Sequence, residues 1–276
     1  VVLGAILHMA IQYPAIKQAG FSYRGTFAQF RKDALIRKVI VLMIPRSLSM
    51  GVTQVSLLAV TAFASLLASG SLASYTFANN IQSVPLGLFG IAFSLAVFPS
   101  LSVYAAKKQE EAFFRTLAET ARRILFFVIP LSIALIIFRA QFVRVILGAG
   151  NFDWEDTILT FEILKFFAVS LFAQSLIPLF ARAFFAFQNT RTPLFIALAS
   201  EALHIGSIPF LLRYFDVEGL AIAFTLGSIM NIALLYFFFR AHIKSWDDRA
   251  FLAPIFKITF AAALAGAFAG ALAGAL

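Results

Sequence analysis

Cysteine is absent from the chain, which excludes disulfides, a thiolate nucleophile and a Cys-ligated metal. Charge is scarce: Asp, Glu, Lys and Arg make up 13% of 276 residues, against roughly 25% in a soluble domain. That is too little to cover a water-facing surface. From Ser47 to Ala106, sixty consecutive positions carry no charged residue at all. No GxxxxGKS/T or GxGxxG phosphate loop occurs, and His8, His204 and His242 lie far apart without HExxH-type spacing. Glu201 is the one carboxylate deep within an apolar run, whereas acid–base catalysis usually wants a second titrating partner nearby. These absences point away from an enzyme and imply no metal or cofactor.

What is present is apolar. Hydrophobic residues reach 61%, phenylalanine alone contributes 34 positions, and the mean hydropathy is +0.91. Eight hydrophobic segments follow one another: 1–16, 39–68, 75–104, 124–147, 157–187, 193–212, 217–239 and 250–276. Most reach the approximately 20 residues a spanning helix needs. As one helix, the uncharged stretch would extend about 90 Å, three bilayer cores. It must fold back, and Ala68-Ser69-Gly70-Ser71-Leu72-Ala73-Ser74 supplies the turn. In lipid each backbone N–H and C=O must be paired within the span, so segments this apolar are helices. The period-2 alternation of a membrane barrel is missing. The expected fold is an all-α, polytopic transmembrane helical bundle. Val1 is not Met and no basic region precedes the first segment, so it is not a signal peptide. Both ends read as cuts in a longer protein.

The net charge of +9 and pI of about 10.1 would elsewhere indicate a nucleic-acid partner. Position removes that reading. Fifteen of the 22 Lys and Arg residues fall in the connections 17–38, 105–123, 188–192 and 240–249. The alternate connections 69–74, 148–156 and 213–218 hold one cation and five carboxylates. An excess of Lys and Arg marks the cytoplasmic face. Lys107 to Arg123, with Glu110, Glu111 and Glu119 interleaved, reads as an amphipathic helix lying on that face. Lys17, Arg24, Arg31, Lys32, Arg37 and Lys38 form a basic linker suited to anionic lipid headgroups.

Ionisable residues within spans are costly and usually face a cavity or a partner. Arg46, beside Pro45, is either an interfacial cation or one turned toward a central polar cavity. Glu201 and His204, three residues apart on one helical face, are either a buried structural pair or a proton or cation coupling site. Arg182 divides between interfacial anchoring and headgroup binding. Glu162 and Lys165 read as a local ion pair. Gln54, Ser56, Asn79, Asn80, Gln82 and Ser83 gather in the uncharged hairpin, where they predict a wet pathway; Pro85, Gly87 and Gly90 then permit a bend and close packing. Gly266, Gly270 and Gly274 repeat the GxxxG spacing that lets another helix approach closely.

Two stretches carry a family resemblance. Pro85-Leu86-Gly87-Leu88-Phe89-Gly90-Ile91-Ala92, continuing to Phe98-Pro99-Ser100-Leu101-Ser102, resembles the LPxGxxGxAxxxxxxPxLS signature of the MurJ/MviN family. Arg182-Ala183-Phe184-Phe185-Ala186-Phe187-Gln188-Asn189-Thr190-Arg191-Thr192-Pro193 is similar to that family's RxFYAxxDTxTP segment. The turn at Ala64-Ser65-Leu66-Leu67-Ala68-Ser69-Gly70-Ser71 also looks like the family's. Members are lipid II flippases of bacterial cell-wall synthesis, within the multidrug/oligosaccharidyl-lipid/polysaccharide exporter superfamily.

The resemblance implies the C-lobe of a two-lobe flippase in the bacterial cytoplasmic membrane. It makes 1–16 the end of a preceding transmembrane helix, 17–38 a basic cytoplasmic linker and 39–240 a six-helix C-lobe. Residues 241–276 become a linker and a truncated additional helix. Its implied partners are a lipid-linked substrate with a polyprenyl pyrophosphate headgroup, membrane lipids and an N-terminal lobe. Arg46, Gln54, Asn79, Asn80, Gln82 and Arg182 become cavity candidates, and Glu201 with His204 the coupling candidates. One departure matters. Where many members carry an acidic-basic pair before the LPxG stretch, this chain has Asn79-Asn80, so Arg46 is expected to supply the cavity cation. The competing readings are an exporter of other lipid-linked oligosaccharides or drugs, and a membrane transferase or scaffold.

Overall fold

A computed structural model describes residues 2–18, 20, 34–148, 153–241 and 248–275. The basic linker therefore lies largely outside the described residues, as does His242. Every regular element among the described residues is helical. They are α1 (Val2–Gln18), α2 (Ala34–Ala64), α3 (Ser71–Pro85), a π-helical turn (Leu86–Ile91), α4 (Ala92–Ala106) and α5 (Glu110–Ile137). There follow α6 (Arg139–Leu147), α7 (Trp154–Ala186), α8 (Arg191–Phe215), α9 (Glu218–Arg240) and α10 (Asp248–Ala275). The chain divides into two compact units, Val1–Met43 and Ile44–Leu276, the boundary falling inside α2.

Seven helical stretches are long and apolar enough to cross a membrane among the described residues: Ile36–Ala64, Ser71–Ala106, Glu110–Ile137, Trp154–Ala186, Arg191–Phe215, Glu218–Arg240 and Phe251–Ala271. The protein is thus a polytopic all-α membrane protein. The first unit contains α1, helical over 17 residues with Pro14 inside it and side chains exposed wherever they are described.

In the second unit α7 is the packing centre. It meets α3, the π turn, α4, α5, α6 and α9, and 67% of its most apolar window is buried, against 11% for α10. A helix apolar all round belongs inside a protein, and Ile163, Leu164, Phe167, Leu171, Leu179 and Phe180 duly line the core. Its start is fixed by a capping box: Asp153 accepts from the Asp156 backbone N–H while the Asp156 side chain accepts from that of Asp153. The tight connections use positive φ. Gly70 (φ +92°) turns α2 into α3, while Lys108, Gln188 and Asp216 break the later helices with φ between 49° and 57°.

The amphipathic stretch from Lys107 is not a separate surface helix. Glu110 through Ile137 forms one continuous helix, because Phe113, Leu117, Ala118 and Ala121 sink into the core instead of a bilayer surface. Phe113 packs against Phe187 (centroids 4.8 Å apart) and Phe239 (5.9 Å). The apolar segment 124–147 accordingly splits at Phe138 into the end of α5 and the short α6. The Glu162–Lys165 pair exists and is part of a larger cluster: Arg139 approaches Glu162 at 3.5 Å and Lys165 approaches Glu218 at 3.6 Å. Gly266 finds its partner within the chain. A Cβ there would stand 2.3 Å from Cγ2 of Ile133 in α5, whereas Gly270 has open space.

Candidate functional site

The broken helix α3–π–α4 sets the geometry. Pro85 has no N–H to continue the α-helical ladder, and the chain passes through a π turn over Leu86–Ile91. Gly90 lets this turn press onto α7: a Cβ there would lie 2.9 Å from the Cα of Ser175. Gly87 has open space around it, so only one of the two motif glycines is needed for close approach.

Beside this contact lies a polar pocket of about 250 Å³. Its lining includes Thr53 and Ser56 of α2, Gln174 of α7, Ser200, Glu201 and His204 of α8, and Asn231 of α9. The Glu201–His204 pair expected from its spacing is present, with Nδ1 of His204 2.8 Å from Oε1 of Glu201. His204 is buried at 2% exposure. The same nitrogen lies 3.2 Å from Oγ of Ser56. Phe224 of α9 meets the imidazole edge-on, with centroids 5.5 Å apart. Gly227 leaves no space between α9 and this residue, since a Cβ would stand 2.9 Å from that of His204.

A hydrogen-bond chain, buried at Gln174 and Gln82 and ending on the exposed Asn79, runs from the pocket into α3. Gln174 Nε2 donates to Gln82 Oε1 (2.8 Å) and to Ser170 Oγ (2.9 Å), and Gln82 Nε2 donates to Asn79 Oδ1 (2.9 Å). Thr225 of α9 donates to Ser170 Oγ (3.3 Å) and to the Phe166 carbonyl (2.9 Å). Of the hairpin residues singled out by sequence, Gln82 and Asn79 therefore join the network. Asn80 is exposed and lines a separate apolar pocket. Gln54 is exposed, and its neighbours Thr53 and Ser56 line the polar pocket instead. Gln174, Ser170 and Thr225 escape a sequence reading, because isolated polar residues in long apolar helices read as interhelical glue.

Arg46 and Arg182 come from α2 and α7 to one locality. The Arg46 guanidinium carbon lies 5.7 Å from the Phe185 ring centroid, a cation–π contact. Arg182 donates through Nη1 to the Pro178 carbonyl at 3.1 Å. It thus reaches back along α7 toward Pro178, itself a lining residue of the polar pocket. Neither guanidinium forms a salt bridge with a carboxylate among the described residues. Paired cations left without an acid are a stored attraction for an anion.

Broken helices, polar groups inside spans and two arginines without a carboxylate partner among the described residues are features of transporter-like membrane bundles. The family model described as Lipid II flippase MurJ matches residues 1–274, and the chain belongs to that family. A probable lipid II flippase MurJ of Bdellovibrio bacteriovorus is 28% identical over 263 residues, covering 95% of this chain and 50% of the relative. One from Haemophilus influenzae is 30% identical over 244 residues, 85% of this chain and 46% of the relative. The chain thus spans about half the length of the curated relatives it matches. A solved lipid II flippase MurJ in an inward closed conformation shares the fold at a TM-score of 0.70 and 22% identity, over 89% of this chain and 49% of that one. An outward-facing transporter of the MATE family gives 0.65 at 14% identity, over 83% and 52%.

Proposed function

We propose that this chain is the C-terminal lobe of a flippase that carries lipid II across the bacterial cytoplasmic membrane by alternating access. Residues 1–16 end a preceding span, 17–38 form a cytoplasmic linker, 39–240 hold the six helices of the lobe, and 241–276 lead into an additional helix. The observation that carries the reading is the Arg46–Arg182 pair. Arg46 is exposed and Arg182 half-buried, so both can meet a pyrophosphate headgroup, and guanidinium forks suit phosphate oxygens. Arg46 supplies the cavity cation that Asn79-Asn80 lacks. Glu201 repels such an anion, so the polar pocket serves as the coupling element while the arginines serve the headgroup. Asn79 and Gln82, through Gln174, fix the wall between them. The remaining partners are an N-terminal lobe and membrane lipids. The protein moves its substrate without making or breaking a covalent bond.

Complementation tests this. The complete gene should rescue bacteria depleted of their own lipid II flippase. Arg46→Ala should lose most rescue, Arg46→Lys should retain part of it, and Arg46→Ala/Arg182→Ala should abolish it at equal membrane abundance. Full rescue by the double alanine variant removes the arginine pair from the mechanism. Failure of the wild-type gene with rescue of an O-antigen-type exporter would assign a different lipid-linked sugar.

A further inference from the structure

One row of α5 changes character from end to end. Glu111, Arg115, Glu119, Arg123, Phe127 and Leu131 follow at intervals of four, so they share one side of the helix. Glu111, Arg115 and Glu119 line a polar recess of about 450 Å³ together with Thr116 and with Tyr104 of α4. Leu131 lines the apolar pocket of about 480 Å³ that Leu88 and Phe89 of the π turn also line. Between the two, Phe127 is 43% exposed. It stacks flat on Phe89, with centroids 4.9 Å apart and planes 9° from parallel. An aromatic step thus joins the recess to the pocket.

The charges along this row are ordered. Arg115 pairs with Glu119 at 3.1 Å. Glu111 forms no salt bridge with a cation, and Arg123 none with a carboxylate, among the described residues. With two carboxylates and one guanidinium, the recess keeps one net negative charge. Arg123, one turn nearer the membrane, adds a positive one. It is exposed and is the last charge before the uncharged stretch 124–137. The Lys and Arg excess of the connection 105–123 sets it at the cytoplasmic leaflet. From Arg123 to Leu131 the helix rises about 12 Å, against roughly 15 Å for half of a bilayer core. A chain that starts at the arginine therefore ends in the apolar pocket.

We propose that this row seats a phospholipid of the cytoplasmic leaflet whose headgroup carries a primary ammonium, as phosphatidylethanolamine does. Arg123 takes the phosphate. The ammonium reaches back over the recess to Glu111 and Glu119, and one acyl chain crosses Phe127 into the pocket against the π turn. Acyl chains meet the exposed Val84 and Leu88 at the pocket rim wherever the helix spans a bilayer; the charge order along α5 selects the headgroup. A glycerol headgroup lacks the ammonium and leaves the lipid anionic, so the two carboxylates repel it. A trimethylated ammonium keeps the charge but has no N–H to donate to a carboxylate. No covalent bond changes, and the seat is independent of what the protein carries. A chain packed on Leu88 and Phe89 also props the bend between α3 and α4, so an occupied seat stabilises the fold.

The test uses the complete protein, stripped of its own lipid. Native mass spectrometry compares phosphatidylethanolamine, phosphatidylcholine and phosphatidylglycerol of matched chains. Exposed ion pairs contribute modestly, so phosphatidylethanolamine should be retained about two- to fivefold better than either of the others. Arg123→Gln should weaken all three by a similar factor. Glu111→Gln/Glu119→Gln should abolish the preference, with phosphatidylglycerol binding raised. A phosphatidylethanolamine whose chains are too short to pass Phe127 should bind more weakly than the long-chain form. Glu111 and Arg123 are exposed and Glu119 half-buried, so the lipid-free variants should unfold at the wild-type temperature. A wild type that favours phosphatidylglycerol or does not discriminate overturns the proposal, as does a double glutamine variant that keeps the preference. Equal binding of short and long chains overturns it too, because the apolar pocket would then hold nothing. No arm contains lipid II, so failure here leaves the flippase reading standing.

Discussion

Two pockets lie on opposite faces of the same broken helix, and they are built by different rules. The polar one meets it at Leu86 and is continued by Gln82 through its bond to Gln174. The other, about 480 Å³, is lined by Ile81, Val84, Leu88 and Phe89, with Leu135 and Phe142 opposite. Positions 82 and 86 recur at helical spacing on one face, and 84 and 88 on the other. In the polar pocket atoms are specified: a donor meets an acceptor at a set distance. In the apolar pocket only volume and shape are specified. Substitutions should therefore be costly on one face and cheap on the other, although both are made of the same element.

The largest effect should come at the element that holds the two faces apart. Gly90→Val drives a side chain into the Ser175 backbone, where neither side can yield cheaply. Overpacking of this kind costs about 1–3 kcal/mol or more, and thermal unfolding of the purified protein should show a large fall in Tm. Gly87→Ala, with open space around it, should leave Tm nearly unchanged. Equal falls at both glycines would break the account of the π turn.

Next comes Gln174→Leu, which leaves the buried Gln82 Oε1 without its donor, whereas Ser170 keeps its bonds to Thr225 and the Phe167 carbonyl. An unsatisfied buried group costs about 1–3 kcal/mol, so denaturant or thermal curves should show a clear loss. Replacing Gln82 and Gln174 together by Leu should recover part of it, because two apolar partners leave fewer orphans. A double variant no better than the single one contradicts the pairing. The smallest effect belongs to the apolar face. Leu88→Met conserves volume and should cost less than about 1.5 kcal/mol, with rescue in cells unchanged. A loss as large as that of Gln174→Leu would mean that the two faces do not differ as described.

The fold was largely legible because lipid imposes a severe filter. Apolar runs of spanning length give helices almost regardless of detail, and the positive φ at Gly70 falls in the predicted turn. The Glu201–His204 pair was legible for a local reason, a spacing of three on one helical face. What the sequence concealed was long-range. Ser56 bonds His204 across 148 positions, and Gln82 meets Gln174 across 92. No periodicity carries such pairings; only the packing of α2, α3, α7 and α8 creates them. The stretch from Lys107 misled because its amphipathicity fits a bilayer surface as well as a protein core, and Phe113 chose the core. Proximity alone does not choose among neighbours: Thr53 and Ser56, one and two positions from Gln54, line the pocket and Gln54 does not.

The central claim is that Arg46 and Arg182 form the anion-binding end of this lobe. Native mass spectrometry of the complete protein with lipid II, and with a prenyl alcohol lacking phosphate, measures it most directly. The wild type should retain lipid II and release the alcohol, and Arg46→Gln/Arg182→Gln should lose at least tenfold in lipid II binding, about 1.4 kcal/mol, while remaining folded. Undiminished lipid II binding by the folded double variant would contradict it.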